Sequence, residues 1–335
     1  MPKNLKSILT LLFLSPLLTE LLSGNMAASS FFPVGNLLIL MTVAYGFPIL
    51  IIREIVIRKQ LGLPGLIVLG IMYGFYNEGL LAKTIFNPFH SPIEVFASYG
   101  LAGQIRLPWV LLITIWHAFF AVIYPISLTH LIFPQKARDT WLGPKALWLT
   151  GLFSFAIGSV IFFCDNSPVE FPEVFRHFMI LLLVWIILGS IALRVPRTAA
   201  SSYPINPARG RGAVILGVLF FCFLVFIPII LTGLAAAPMV YYGYFLMIVF
   251  FFYQKLRSIP LLNARCLTLM GLGSQLATAF MLILLSLKSM DHERFLAGIL
   301  FFTGILLFLF KLQKDGRNED AASIDRGVSH ITNKH

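Results

Sequence analysis

Charge is what this 335-residue sequence has least of. Asp, Glu, Lys and Arg together make up 12% of it, about half of the roughly 25% that wets the surface of a soluble domain. A soluble globular fold is therefore excluded. Acid is scarcer than base, with 14 Asp and Glu against 25 Lys and Arg. Cysteine is nearly absent: Cys164, Cys222 and Cys266 show no CxxC spacing and fall at different expected membrane depths, which argues against a disulfide framework. HExxH, P-loop and GxSxG motifs, regular repeats, arginine ladders and a TVGYG filter are all missing. Their absence argues against a zinc protease built on one helix, an ATPase and a potassium channel.

What the chain has in quantity is apolar surface: 58% AVILMFWYC with 32 Phe, and a mean hydropathy of +0.88. This composition predicts a polytopic membrane protein, an all-α helical bundle. Apolar runs of spanning length lie at 7–23, 34–52, 62–82, 108–132, 146–164, 178–193, 213–236, 238–254, 266–287 and 295–312. If these ten alternate in direction, twenty of the 25 basic residues fall on one side and five on the other, namely Lys83, Arg106, Arg176, Lys288 and Arg294. The positive-inside rule then puts both termini in the cytoplasm of a prokaryotic cell and the spans in its inner membrane. The net charge of +11 is on this reading a topology signal, with the lipid bilayer as partner and no role for nucleic acid. Residues 313–335 read as a polar, disordered cytoplasmic tail. The first run resembles a signal peptide in having Lys3 and Lys6 before it and Ala27, Ala28 and Ser29 after it, but Pro16 and Glu20 interrupt it, so it is read as a span.

Ionisable groups inside a span are costly and mark function by default. Glu20, Glu78 and His117 are the three here, and Asn77 adjoins Glu78. At 1.5 Å per residue they lie roughly 6, 8 and 14 Å below the outer boundary, all in the outer half. The third and fourth spans are consecutive, so Glu78 and His117 are expected to meet. Gly70, Gly74 and Glu78 form one stripe, with a GxxxG spacing that permits close packing; Thr114, His117, Ala121 and Tyr124 form another. Glu78 and His117 are thus the candidate catalytic or proton-carrying pair, and Glu20, Asn77, Thr114 and Tyr124 the candidate substrate-binding residues. The connection 84–107, with His90, Glu94, Tyr99 and Arg106, could fold over them as a lid. Arg53 and Glu54 are expected to snorkel or pair locally, and His130 to be interfacial. Ser274 and Gln275 read as polar helix–helix contacts.

Glu20-Leu-Leu-Ser-Gly24, Tyr45-Gly46, Arg53-Glu54, Tyr73-Gly74, Asn77-Glu78-Gly79 and Trp116-His117-Ala118-Phe119 resemble a family of uncharacterised polytopic membrane proteins of bacteria and archaea. The resemblance covers residues 18–145 and implies no activity. In that family an acidic pair before Gly is common, and here Asn77 takes the first place. A second resemblance is to the intramembrane metal-dependent proteases of the CPBP type, which would make Glu78 the motif glutamate and His117 the first histidine. Ala82, Ile113 and the missing HxxxN after His117 depart from that pattern.

Two carboxylates and one imidazole are enough for three chemistries. The first is a secondary transporter, proton-coupled and without a cofactor, in which Glu78 carries the proton and His117 relays it to serve a small-molecule or peptide substrate. The second is a metal-dependent hydrolase with Zn held by Glu78 and His117. The third is a non-catalytic scaffold or assembly factor.

Overall fold

A computed structural model describes residues 4–23, 26, 40–86, 96–164, 170–195, 208–256 and 264–332, with the side chains of 208, 209, 256 and 313–332 left aside. Almost all described residues are helical. The elements are α1 (Leu5–Pro16), α2 (Phe47–Lys59), α3 (Leu63–Phe75), α4 (Leu107–Trp116), α5 (Tyr124–Ile132), α6 (Pro144–Cys164), α7 (Phe171–Arg194), α8 (Ala208–Phe221), α9 (Ile227–Gly233), α10 (Pro238–Leu256), α11 (Ala264–Ser289) and α12 (His292–Thr332). Five wide π-helical turns interrupt them: π1 (Leu17–Leu21), π2 (Thr42–Gly46), π3 (Tyr76–Leu81), π4 (His117–Ile123) and π5 (Cys222–Phe226). Two short strands, β1 (Leu101–Ala102) and β2 (Ile105–Arg106), pair antiparallel as a small hairpin, with Leu101 opposite Arg106. Phe86 forms a bridge to Ile105.

Among the described residues six helices are long and apolar enough to cross a membrane: Leu107–Ile132, Pro144–Cys164, Phe171–Arg194, Gly210–Gly233, Ala264–Ser289 and His292–Leu312. Their packing sorts them into layers. In Leu107–Ile132, 83% of the most apolar window is buried, and in Ala264–Ser289 67%, against 17% in each of Pro144–Cys164, Phe171–Arg194 and His292–Leu312. The first two are therefore central and the other three peripheral. The outward faces of the peripheral helices stay apolar: Trp148, Leu183 and Leu300 are all largely exposed. Large exposed apolar surface of this kind belongs against lipid.

Small residues set the central contacts. A Cβ at Gly70 would lie 2.8 Å from the Ala118 Cα, and one at Gly74 2.6 Å from the Thr114 Cα. The glycine stripe of α3 thus lets its backbone lie directly on α4 and π4. On the other side of the bundle, Gly217 and Gly273 let α8 and α11 touch backbone to backbone.

Two expectations are corrected. The Phe171–Arg194 helix begins seven residues before the apolar run 178–193, because Glu173 and Arg176 pair with each other at 2.7 Å and sit comfortably in its first turns. The segment after 312, expected to be disordered, continues α12 as helix to Thr332. Its Lys, Gln, Glu and Ala residues favour helix and no proline stops it. Residues 24–25, 27–39, 87–95 and 165–169, which include Ala27, His90, Glu94 and Asp165, lie outside the described residues.

Candidate functional site

Glu78 and His117 meet. Glu78 Oε1 lies 2.8 Å from His117 Nε2, and both residues are buried. Gly74 seats α3 on Thr114 and Gly70 seats it on Ala118, so the two helices run antiparallel and backbone to backbone; Glu78 and His117 lean back toward the N-termini of their own helices, and therefore toward each other. The second carboxylate oxygen is also held. Thr84 donates its hydroxyl to Glu78 Oε2, and the Trp109 indole N–H donates to Thr84 Oγ1 at 2.8 Å. His117 Nδ1 is buried and has no partner among the described residues. The imidazole therefore has one nitrogen committed to a carboxylate and one open.

Glu20 joins from π1 through a tyrosine. The Tyr45 hydroxyl donates to Glu20 Oε1, and its ring centroid is 6.1 Å from that of His117. Tyr73 sets its edge against the same imidazole at 5.7 Å and packs 5.9 Å from Tyr45. Asn77 donates to the Tyr73 hydroxyl at 3.1 Å, and so positions a ring rather than the carboxylate. Glu20, Tyr45, Tyr73, Glu78 and His117 thus form one buried polar patch in which the two carboxylates are bridged by an aromatic wall.

The other two sequence candidates face elsewhere. Thr114 returns its hydroxyl to the Val110 carbonyl at 2.7 Å and presents its backbone to Gly74, so it is a packing residue. Tyr124 is buried in a second apolar cluster with Leu18 and Leu272, and its ring fills the space where a side chain at Gly271 would stand. The structure does not bring it to the Glu78–His117 pair, although it shares a helical stripe with His117 in the sequence. The wide turn π4 lies between them, and a π turn shifts the phase of every residue that follows it.

Each polar member of the patch except Tyr73 sits on a π turn: Glu20 on π1, Tyr45 on π2, Glu78 on π3 and His117 on π4. Such turns are frequent at functional sites. Nothing in residue composition announces them, so sequence reading missed them together with Thr84 and Trp109. The signal that was available for Thr84 is its place right after Lys83, at the end of the third span.

The described parts of the connection between α3 and α4 are tied to the pair through Thr84. Arg106 is buried and donates to the carbonyls of Ala97 at 3.1 Å, Thr84 at 2.9 Å and Phe86 at 2.6 Å. Burial lowers its guanidinium from the usual value. This clamp holds Thr84, and through Thr84 it holds Glu78. Tyr99 ties the same connection to the Ala236 carbonyl at 2.7 Å.

A second buried polar cluster lies at the opposite end of the α4–π4–α5 helix. Arg53 and Glu54 pair with each other, one of the two outcomes expected of them: they lie 2.6 Å apart, and both are fully buried. Arg53 donates to the carbonyls of Lys136 at 3.0 Å and Ala137 at 3.1 Å, and lies 3.3 Å from His130 Nε2. It also stacks on the Trp141 ring at 3.6 Å. Glu54 accepts the backbone N–H of Trp141 at 2.8 Å and of Leu142 at 3.3 Å. Every charge here is answered, as buried charges must be. The connection 133–143 folds back over the helix end and supplies the groups that water would have supplied.

A model of a family described as an uncharacterized membrane protein family matches residues 9–323. The chain belongs to that family. No curated protein matches it, and no solved structure does. Family membership extends over nearly the whole chain the likeness noted for residues 18–145, whereas the protease likeness gains no support. Residues on which the sequence likeness was read are also brought together here: Glu20, Tyr45, Tyr73, Glu78 and His117 make the first patch, and Arg53 and Glu54 lie in the second cluster. Among the described residues no group of three His, Cys, Asp or Glu side chains is disposed to hold a metal ion. Glu78 and His117 bond directly to each other, and Glu20 is taken up by Tyr45, so the donor set does not fit a three-ligand zinc site.

Proposed function

We propose that this family member is a proton-coupled secondary transporter of a prokaryotic inner membrane, built of ten spans with both termini in the cytoplasm. Its proton site is the Glu78–His117 pair in the outer half of the bilayer. Four further helical stretches, 5–21, 40–59, 63–81 and 238–256, would complete ten spans beside the six long apolar helices, and the twenty-to-five distribution of basic residues supports the orientation.

One observation carries the reading: a buried carboxylate oxygen 2.8 Å from an imidazole nitrogen whose other nitrogen has no partner among the described residues. Such a pair holds one proton between Oε1 and Nε2. When Glu78 gives its proton to Nε2, the imidazole would pass one from Nδ1 to an acceptor that enters beside it, a water or a basic group of the substrate, and the reverse sequence would reload the carboxyl.

A pH step applied to proteoliposomes on a solid-supported membrane tests this without knowledge of the substrate. The wild-type protein should give a transient current from proton uptake. Glu78→Gln should abolish it, and His117→Ala should reduce it at least about tenfold, since the relay contributes on the scale of general acid–base transfer. Currents equal in all three proteins would sink the proposal. About one zinc per purified chain, lost in both variants, would instead favour the metal-dependent hydrolase.

A further inference from the structure

We propose that Gln275, on the central helix α11 of the second half of the chain, is a positioning residue for Glu20. It would hold the π1 turn in the register that presents the Glu20 carboxylate to Tyr45. The inference rests on reading Glu20 as part of the proton site.

Wide turns disturb the regular ladder of helical hydrogen bonds and open their carbonyls to other donors. In this protein, side chains from neighbouring helices take them up. Gln275 Nε2 donates to the Leu18 carbonyl of π1 at 2.8 Å, across 257 residues of sequence. Ser15 donates to the Ala121 carbonyl of π4 at 3.0 Å. Tyr73 donates to the Ala44 carbonyl of π2 at 3.3 Å, and Tyr244 to the Phe223 carbonyl of π5 at 2.5 Å. Three of these four turns present Glu20, His117 and Tyr45.

Gln275 differs from the rest of the set. It is fully buried, and its Oε1 has no donor among the described residues. An orphaned acceptor in low dielectric is a standing cost, which an apolar side chain of the same size would avoid. A glutamine kept at that cost, with its amide N–H aimed at one carbonyl two residues before Glu20, has a task that packing does not explain. If the bond were lost, the 17–21 turn could relax to α-helical register, and Glu20 would swing off the face that meets Tyr45.

The test is pH-difference infrared spectroscopy of the full-length protein in lipid nanodiscs. The Glu20 carboxyl band is assigned as the one missing in Glu20→Gln. Gln275→Met keeps the volume and removes the donor; it should displace the band and move its titration midpoint by about one pH unit, a tenfold change in proton affinity. Gln275→Glu, whose protonated carboxyl can donate to the same carbonyl, should restore both. Ser274→Ala removes a neighbouring donor on the same helix, the bond to the Gly217 carbonyl at 2.7 Å, and should leave the Glu20 band in place. An unmoved band in Gln275→Met overturns the proposal, and so does an equal displacement in Ser274→Ala. If Gln275→Met does not fold, Gln275→Asn, one methylene too short for the bond, is read in its place with the same two outcomes. The band reports on the carboxyl and not on flux, so failure of the transport reading would show separately in the current measurement.

Discussion

At Glu78 the energetic question is what each partner contributes. Both carboxylate oxygens are engaged, one by His117 and one by Thr84. Removing one member of a buried, hydrogen-bonded pair strands the other. Thermal or denaturant unfolding in detergent should therefore show His117→Ala destabilised by about 3 kcal/mol, a cost that includes the cavity left by the ring. Glu78→Gln preserves shape and an acceptor for Thr84, and should cost about 1 kcal/mol or less. The reverse order of the two variants would contradict the geometry. The meeting of these residues was legible in the sequence, because two consecutive spans run antiparallel and simple rise-per-residue arithmetic puts both groups in the outer half. Thr84 and Trp109 were not legible: each acts from the edge of a loop, where no periodicity tells which way a side chain points. The local pairing expected of Arg53 and Glu54 is present, but their full burial was not legible, for a related reason. Their partners are backbone groups of residues 136–142, and only a folded connection brings those groups to them.

Among the elements, the contact of α3 with α4 and π4 is the one on which the site depends. It rests on Gly70 and Gly74, whose spacing in the sequence already marked a close-packing face. Gly74→Ala would place a methyl 2.6 Å from backbone of Thr114, so the helices must part. Overpacking of this kind costs about 1–3 kcal/mol, and the wedge sits one turn from Glu78. The variant should have a lower unfolding temperature and, in the pH-step assay, a weaker current. Gly212→Ala, where a Cβ would meet nothing within 4 Å, should alter neither. Equal behaviour of the two variants would show that the glycine face is not what seats the pair. The π turns lie at the same scale and beyond what a sequence displays, since the same residues would satisfy an α-helical pattern. In four of the five a distant side chain takes up a carbonyl of the turn, a tertiary contact with no local signature.

The topology is a claim about the whole molecule, and it too can be measured. In a protein freed of its three native cysteines, Ala102→Cys in the outer hairpin should react with a membrane-impermeant maleimide on intact cells. Arg138→Cys, in the connection after α5, should react only once the membrane is opened. Identical labelling of both positions would overturn the orientation. The central helix 107–132 is held at both ends, by Arg106 with Trp109 at one and by His130 with the Arg53 cluster at the other. Bonds at only one end would let that helix slide along its axis; bonds at both make it behave as a bolt. Drawn out of a bilayer from the C-terminus by a single-molecule tether, the chain should surrender its peripheral helices at modest force. The largest rupture should come when the pull reaches residue 132, where two separated sets of bonds must break before the helix can leave.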